Sequence, residues 1–380
     1  MMIKKKWAIA LSLMMGALAL CAGCLSTADT GKALADKPAQ TLDEQVDTIV
    51  ESMTLPEKVG QMVMIGIYGT DVNDDSLFML HQYHIGNIIL FDRNLESAEQ
   101  TKALTDHLRE QAEQKVPLFI GIDEEGGAVV RGKAFITPPP SQQEIGASGD
   151  VTKAEGWADR TAQQLKNLGI NVNFAPVADL GGTRGRSYGQ DPEQVTKFLA
   201  AAAQGYEKNR VMYALKHFPG IGRGTVDTHL DVSTVMASRE ELMQNDVVPF
   251  KGIISSRSEE DYFILVGHLK YLAFDPERPA SQSPAIVTDL LRKELGYDGI
   301  IITDDLNMGA VAKYSSPRER GIQSVKAGVD MIMMCHEYSY ATDAYLGILE
   351  AVENGEISQQ RIDESVKRIV KAKLLHQGKE

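Results

Sequence analysis

The segment "GIIITD" (residues 299–304) decides the fold. Its apolar residues run without alternation, as in a strand buried on both faces, and the run ends on a carboxylate. Seven other segments read the same way: "QMVMIGI" (61–67), "GNIILF" (86–91), "PLFIGID" (117–123), "NVNFAPV" (171–177), "VMYALKH" (211–217), "YFILVGH" (262–268) and "DMIMM" (330–334). Helix-like amphipathic stretches lie between most of them, at 98–114, 152–168, 192–209, 238–255, 285–295 and 317–327. Near-continuous apolar strands that alternate with helices predict a parallel sheet covered on both faces. Eight such units predict an α/β fold of the (β/α)8, TIM-barrel type. A doubly wound sheet is the competing architecture, but no glycine-rich dinucleotide fingerprint follows the first strand.

In a (β/α)8 barrel the functional side chains gather at the C-terminal ends of the strands. Asp123 ends the third run, Asp179 follows the fourth, Lys216 and His217 end the fifth, His268 the sixth, and Asp304 and Asp305 the seventh. Strand interiors are almost free of such residues, so the pattern predicts one site at one end of the barrel. Two acidic clusters, "DEEGG" (123–127) and "TDDLNMG" (303–309), stand at these ends. Because adjacent strand residues face opposite ways, each is expected to send one carboxylate at most into the mouth. Asp304 is the stronger candidate of its pair, and Asp305 has an N-capping role as its alternative.

The N-terminus has another character. "MMIKKKWAIALSLMMGALALCAGC" places three lysines before an apolar run, and small residues before Cys24, as in a secretory signal. Its Ala22-Gly23-Cys24 ending resembles a bacterial lipobox, although Cys21 stands where leucine is usual. Residues 1–23 are expected to be a lipoprotein-type signal, with Cys24 the lipidated residue. Residues 24–43, small and polar, read as a flexible tether, and 44–380 as a single catalytic domain. The chain is thus expected to be exported and lipid-anchored on the extracytoplasmic side of a bacterial membrane. Cys335 then has no partner, and reads as a buried small residue at a strand end. Net charge is −13, the signal takes away lysines only, and no basic cluster remains. That argues against a nucleic-acid partner. A monomer is expected.

The stretch "KHFPGIGRGTVDTHLD" (216–231) concentrates groups capable of acid/base work: His217, Asp227 and His229. A metal site is disfavoured because Lys216 would set a cation beside it, so no metal and no cofactor are expected. Gly220, Gly222 and Gly224 are expected to let the segment bend at low steric cost and to carry His229 on a mobile loop.

"KHFPG" followed by "DTH" resembles glycoside hydrolase family 3, in its beta-N-acetylglucosaminidase branch. "EKVGQMVMIG", "GNIILFDRN", "GIDEEGGAVVR", "GINVNFAPVADL", "RSYGQDP", "ITDDLNMGA" and "NGEISQQRIDESVKRI" extend the likeness in family order. The resemblance implies an exo-acting, retaining beta-N-acetylglucosaminidase acting on terminal N-acetylglucosamine of cell-wall fragments. It assigns Asp304 as nucleophile, His229 as general acid/base and Asp227 as the group that orients it. Asp123, Arg131, Arg186, Lys216 and His217 match sugar-binding positions, and His268 matches a position near the site. The family commonly reads "KHFPGHG", whereas Ile221 and Arg223-Gly224 stand here. The alternatives are a broader beta-hexosaminidase or beta-glucosidase, or a sugar-binding lipoprotein impaired in catalysis.

Overall fold

The computed structural model describes residues 40–181, 184–226 and 230–376. Eight strands close into a parallel barrel: β1 Val63–Gly66, β2 Asn87–Leu90, β3 Phe119–Ile122, β4 Val172–Asn173, β5 Met212–Phe218, β6 Tyr262–Val266, β7 Ile300–Asp305 and β8 Met331–Met334. Neighbours around the barrel are neighbours in sequence, and β8 pairs with β1 through Val63 and Ile332 to close it. The eight apolar runs are these eight strands, and the (β/α)8 expectation holds. Residues 41–380 cluster as one compact unit.

The strands lack alternation because both faces are covered. Their inner face is packed with side chains such as Phe119 and Phe263, whose rings meet edge to face at 5.4 Å, and Phe174 beside them. Each is almost fully buried, contributing about 2–3 kcal/mol of hydrophobic stabilisation. The N-terminal end is plugged by Lys373, from the helix Gln359–Leu375. Its ammonium donates to Gln61 Oε1 (2.6 Å) and Gly86 O (2.8 Å), over the Phe119 ring.

Helix ends follow local chemistry. Thr41 and Glu44 form a capping box at the start of the helix Leu42–Ser52, and Ser316 and Glu319 form another before Pro317–Ala327. The stretch 238–255, expected as one helix, is two: Arg239–Gln244 and Val248–Ile254. Pro249 lacks the N–H that a continuous helix would direct to Asn245, so the helix breaks there. Among the described residues no helix is long and apolar enough to cross a membrane. Cys24 lies outside the described residues. Cys335 is a buried free thiol just after β8.

Candidate active site

The strand ends converge on a cavity of about 320 Å³ at the C-terminal mouth, lined by Asp123, Arg131, Lys216, Asp304, Asp305 and His336 with Phe91, Phe174 and Met308. Roomier clefts at the opposite face, beside Asp298 and Glu260, bring together no comparable set of strand-end side chains. Asp304 stands at the end of β7, four strands round from β3 and therefore across the mouth from Asp123.

The "DEEGG" segment builds one wall. Asp123 follows β3, and Glu124–Gly126 then turns back on Val129–Val130 as a hairpin. Gly126 and Gly127 hold left-handed φ values of 95° and 58°, which side chains disfavour. The return strand delivers Arg131 over Asp123, with Nη2 3.5 Å from Asp123 Oδ2 and Nη1 3.6 Å from Asp92 Oδ1.

Lys216 is the hub. Its Nζ lies 2.8 Å from Asp123 Oδ1 and 2.7 Å from Glu125 Oε1. Arg186, from the loop after β4, grips Glu125 with two hydrogen bonds of 2.7 and 2.8 Å. Two carboxylates of the first cluster thus serve the site, where one at most was expected. The correction follows from strand alternation itself: residues 123 and 125 share a face, and only Glu124 points away. Burial raises the Glu125 carboxyl, but the charges of Lys216 and Arg186 overcome it and hold it at about 2. Burial lowers the Lys216 ammonium, and Asp123 and Glu125 more than compensate, so its pKa lies above the ordinary value.

His217 is set by Asp179, which is fully buried at the end of the β4 segment. Its Oδ2 accepts from His217 Nδ1 at 2.8 Å, and its Oδ1 accepts from the main-chain N–H groups of His217 (3.1 Å) and Ile221 (2.8 Å). A carboxylate cannot donate, so the Nδ1 proton is fixed and Nε2 turns toward Arg186, 3.5 Å away. His268 does not reach the cavity lining. Its Nε2 donates to Asp305 O (3.0 Å) and its Nδ1 meets Ser281 Oγ (2.8 Å), while burial lowers its pKa. It braces β7 behind Asp304.

Asp304 Oδ1 accepts from the Asp305 N–H at 2.8 Å. Burial raises its carboxyl, but the nearby His217, His268 and Lys216, with that hydrogen bond, bring it below the ordinary value. Among the described residues no cation pairs with it directly, and the residue lines the cavity. Asp305 caps no helix. Its Oδ1 accepts from Asn307 N and Cys335 N, both at 3.0 Å, and ties β7 to β8; burial raises its pKa.

The glycines after Lys216-His217 do not leave that segment loose. A Cβ on Gly222 would lie 2.0 Å from Leu180 O, so glycine is required there by close packing. Gly220 O accepts from Tyr271 Oη (2.7 Å), Arg223 Nε donates to the buried Asp246 (2.8 Å), and Ser233 Oγ accepts from Thr225 N and Val226 N. Residues 220–226 are thus packed against and hydrogen-bonded to their surroundings, which the glycines alone did not foretell. Asp227 and His229 lie outside the described residues. Among the described residues, no group of three or more His, Cys, Asp or Glu is arranged to hold a metal.

Sequence reasoning gave no role to Glu125, Asp179 or His336, although it placed Asp179 at the end of the fourth run. The spacing Asp123-x-Glu125 was a usable signal for the first, and the position of Asp179 after the fourth run for the second. His336 followed the last run with nothing to distinguish it.

A model of the glycosyl hydrolase family 3 N-terminal domain matches residues 54–372. The beta-hexosaminidase A of Pseudoalteromonas piscicida is 34% identical over 326 residues, covering 78% of this chain and 54% of that protein. The beta-hexosaminidase of Stenotrophomonas maltophilia is 33% identical over 285 residues, covering 72% and 83%. A glycoside hydrolase family 3 beta-N-acetylglucosaminidase from Paenibacillus superposes with a TM-score of 0.83 at 37% identity, covering 86% of this chain and 63% of that one. The beta-N-acetylhexosaminidase of Beutenbergia cavernae gives 0.78 at 28%, covering 85% and 99%. The chain thus spans just over half of the Pseudoalteromonas relative and under two thirds of the Paenibacillus one.

Proposed function

The chain belongs to glycosyl hydrolase family 3, and from that premise we propose that it is an exo-acting, retaining beta-N-acetylglucosaminidase. The observation that carries this reading is Asp304: an ionised carboxylate, free of any direct ion pair among the described residues, facing a cavity walled by Asp123, Lys216 and Arg131. A cavity of about 320 Å³ is at the small end of ligand pockets and suits one terminal sugar ring.

In this mechanism Asp123, Lys216, Arg131, Arg186 and His217 grip the ring hydroxyls. Asp304 Oδ2 attacks the anomeric carbon as the glycosidic bond breaks, while His229 gives its proton to the leaving oxygen. His229 then takes a proton from water, which attacks the same carbon and releases Asp304 with configuration retained. Asp227 orients His229 as the third member of a triad would. The roles of Asp227 and His229 rest on the "DTH" resemblance. The substrate class is N-acetylglucosamine-terminated cell-wall fragments, met outside the cytoplasm by a protein anchored through lipid on Cys24.

The test is release of chromophore from a chromogenic beta-N-acetylglucosaminide by the purified domain, beside the matching glucoside. Release from the glucosaminide is expected. Equal release from both sugars makes the enzyme a broader glycosidase, and binding without release makes it a sugar-binding protein.

A further inference from the structure

Glu124, the middle carboxylate of "DEEGG", points away from the cavity and has no role in the mechanism above. It is 1% exposed. Its main chain is clamped by Asn173 of β4, which accepts from Glu124 N (2.9 Å) and donates to Glu124 O (3.0 Å). Its side chain clamps in turn the returning arm of the hairpin: Oε1 accepts from Arg131 N (2.9 Å) and from Gly132 N. A Cβ on Gly132 would lie 3.3 Å from this oxygen, so the carboxylate packs closely on the glycine. Oε2 is buried and has no hydrogen-bond partner among the described residues.

The Arg131 guanidinium, by contrast, has no close hydrogen bond and lies over the Phe91 ring, 5.4 Å from its centroid. Its contacts with Asp123 and Asp92, at 3.5 and 3.6 Å, are longer than hydrogen bonds, and its Nε is buried without a partner among the described residues. With no close hydrogen bond to fix the guanidinium itself, the course of the Arg131 main chain bears directly on where that cation stands. We propose that Glu124 is a positioning residue for sugar binding: its carboxyl fixes the main chain of Arg131, and so sets where the guanidinium meets the sugar. This rests on the glycosidase reading of the cavity.

The hold depends on charge. Burial lifts the Glu124 carboxyl to about 7, against the hydrogen bonds from Gly132 and Arg131 and the Arg131 charge. Asp123, just before the hairpin, raises it further, and the Tyr206 phenol, bonded to Asn173 from the helix Pro192–Asn209, also feels it. Below neutrality the group is protonated and its grip on the two N–H donors weakens, since charged acceptors bind more strongly than neutral ones.

The experiment compares wild type, Glu124→Gln, Arg131→Ala and the double variant between pH 5.5 and 8.5. Steady-state kinetics on the chromogenic sugar run beside calorimetric titration with N-acetylglucosamine. The wild-type KM is expected to rise about fivefold as pH falls through 7. Glu124→Gln, which keeps an acceptor oxygen but cannot ionise, is expected to hold KM near the low-pH value throughout, with kcat little changed. In the Arg131→Ala background the same substitution should leave KM unmoved. A wild-type KM profile retained in Glu124→Gln, or an equal KM increase in both backgrounds, overturns the proposal. A wild type that binds sugar without hydrolysing it refutes the glycosidase reading, while the titrations still decide on Glu124. A wild type that does neither overturns both.

Discussion

Replacing Lys216 by methionine keeps the length of the side chain and deletes its charge. In the native site that charge, on a side chain only 4% exposed, lies within 2.8 Å of Asp123 and 2.7 Å of Glu125, whose own side chain is 2% exposed. Glu125 at about 2 in place of the ordinary 4.5 is worth about 3 kcal/mol of stability at neutral pH. Breaking a buried pair by removing one partner costs about 3–5 kcal/mol, because the remaining charge stays buried. Arg186 still holds Glu125, so a loss of about 3 kcal/mol at pH 7 is expected. The sign of its pH dependence follows from the depressed carboxyl. In the wild type the Glu125 contribution is present above pH 4.5 and is lost as pH falls toward 2. In the variant Glu125 takes up its proton at higher pH, so the deficit is full at neutrality and shrinks on acidification. Urea unfolding of both proteins at pH 7 and pH 4 reads this directly, with a deficit smaller by about 1 kcal/mol or more at pH 4. An equal deficit at both values would mean that lost packing, not the buried charge, explains the change. That outcome would refute the electrostatic account of the Lys216 hub.

Asp304→Ala should cut chromophore release by at least about a thousandfold with the fold retained by circular dichroism; residual activity within tenfold of wild type is incompatible with a nucleophilic role. Gly222→Ala forces a methyl group toward Leu180 O, where only 2.0 Å is open, and should cost about 1–3 kcal/mol in urea unfolding. An unchanged midpoint would show that the segment yields freely and that the loop reading from the glycines was right after all. Lipid attachment is checked by labelling cells with a radiolabelled fatty acid: the full chain should take up label and Cys24→Ser should not, whereas equal labelling places the modification elsewhere.

The barrel was legible because its signal is local and repeated. Each strand is a short apolar run, and five of them end where a polar residue stands, so eight segments reported one architecture and five of them one site. Even the brief pairing of β4, only Val172–Asn173, did not hide it, since the run around it is buried for the same reason as the others. Asp304, Lys216 and Asp123 were legible for a related reason: they stand where the strand pattern stops. What the pattern could not convey was pairing across the mouth. Lys216 meets Glu125 from ninety-one positions away, and Asp179 meets His217 from thirty-eight. Nothing in one strand announces its neighbour's charge.

Glu125 is the instructive case, because the rule that predicted one carboxylate per cluster, strand alternation, also contains the correct answer. Applied to a pair such as Asp304-Asp305, alternation would send one side chain inward and the other into the barrel wall, yet both border the cavity, Asp305 with its Oδ1 tied to Asn307 N and Cys335 N. Applied to the triplet Asp123-Glu124-Glu125, it sends the first and third inward together. Two carboxylates on one face repel and would not both stay ionised in a buried mouth without cations to match. Lys216 and Arg186 are those cations, each contacting Glu125. Glu124, facing the other way, accepts from main-chain N–H groups and feels the Arg131 charge but makes no ion pair among the described residues, and burial lifts its carboxyl to about 7 while Glu125 is held at about 2. Adjacent residues of one type thus part by their facing alone, and the alternation that builds the cavity wall also separates a permanent charge from one that titrates near neutrality.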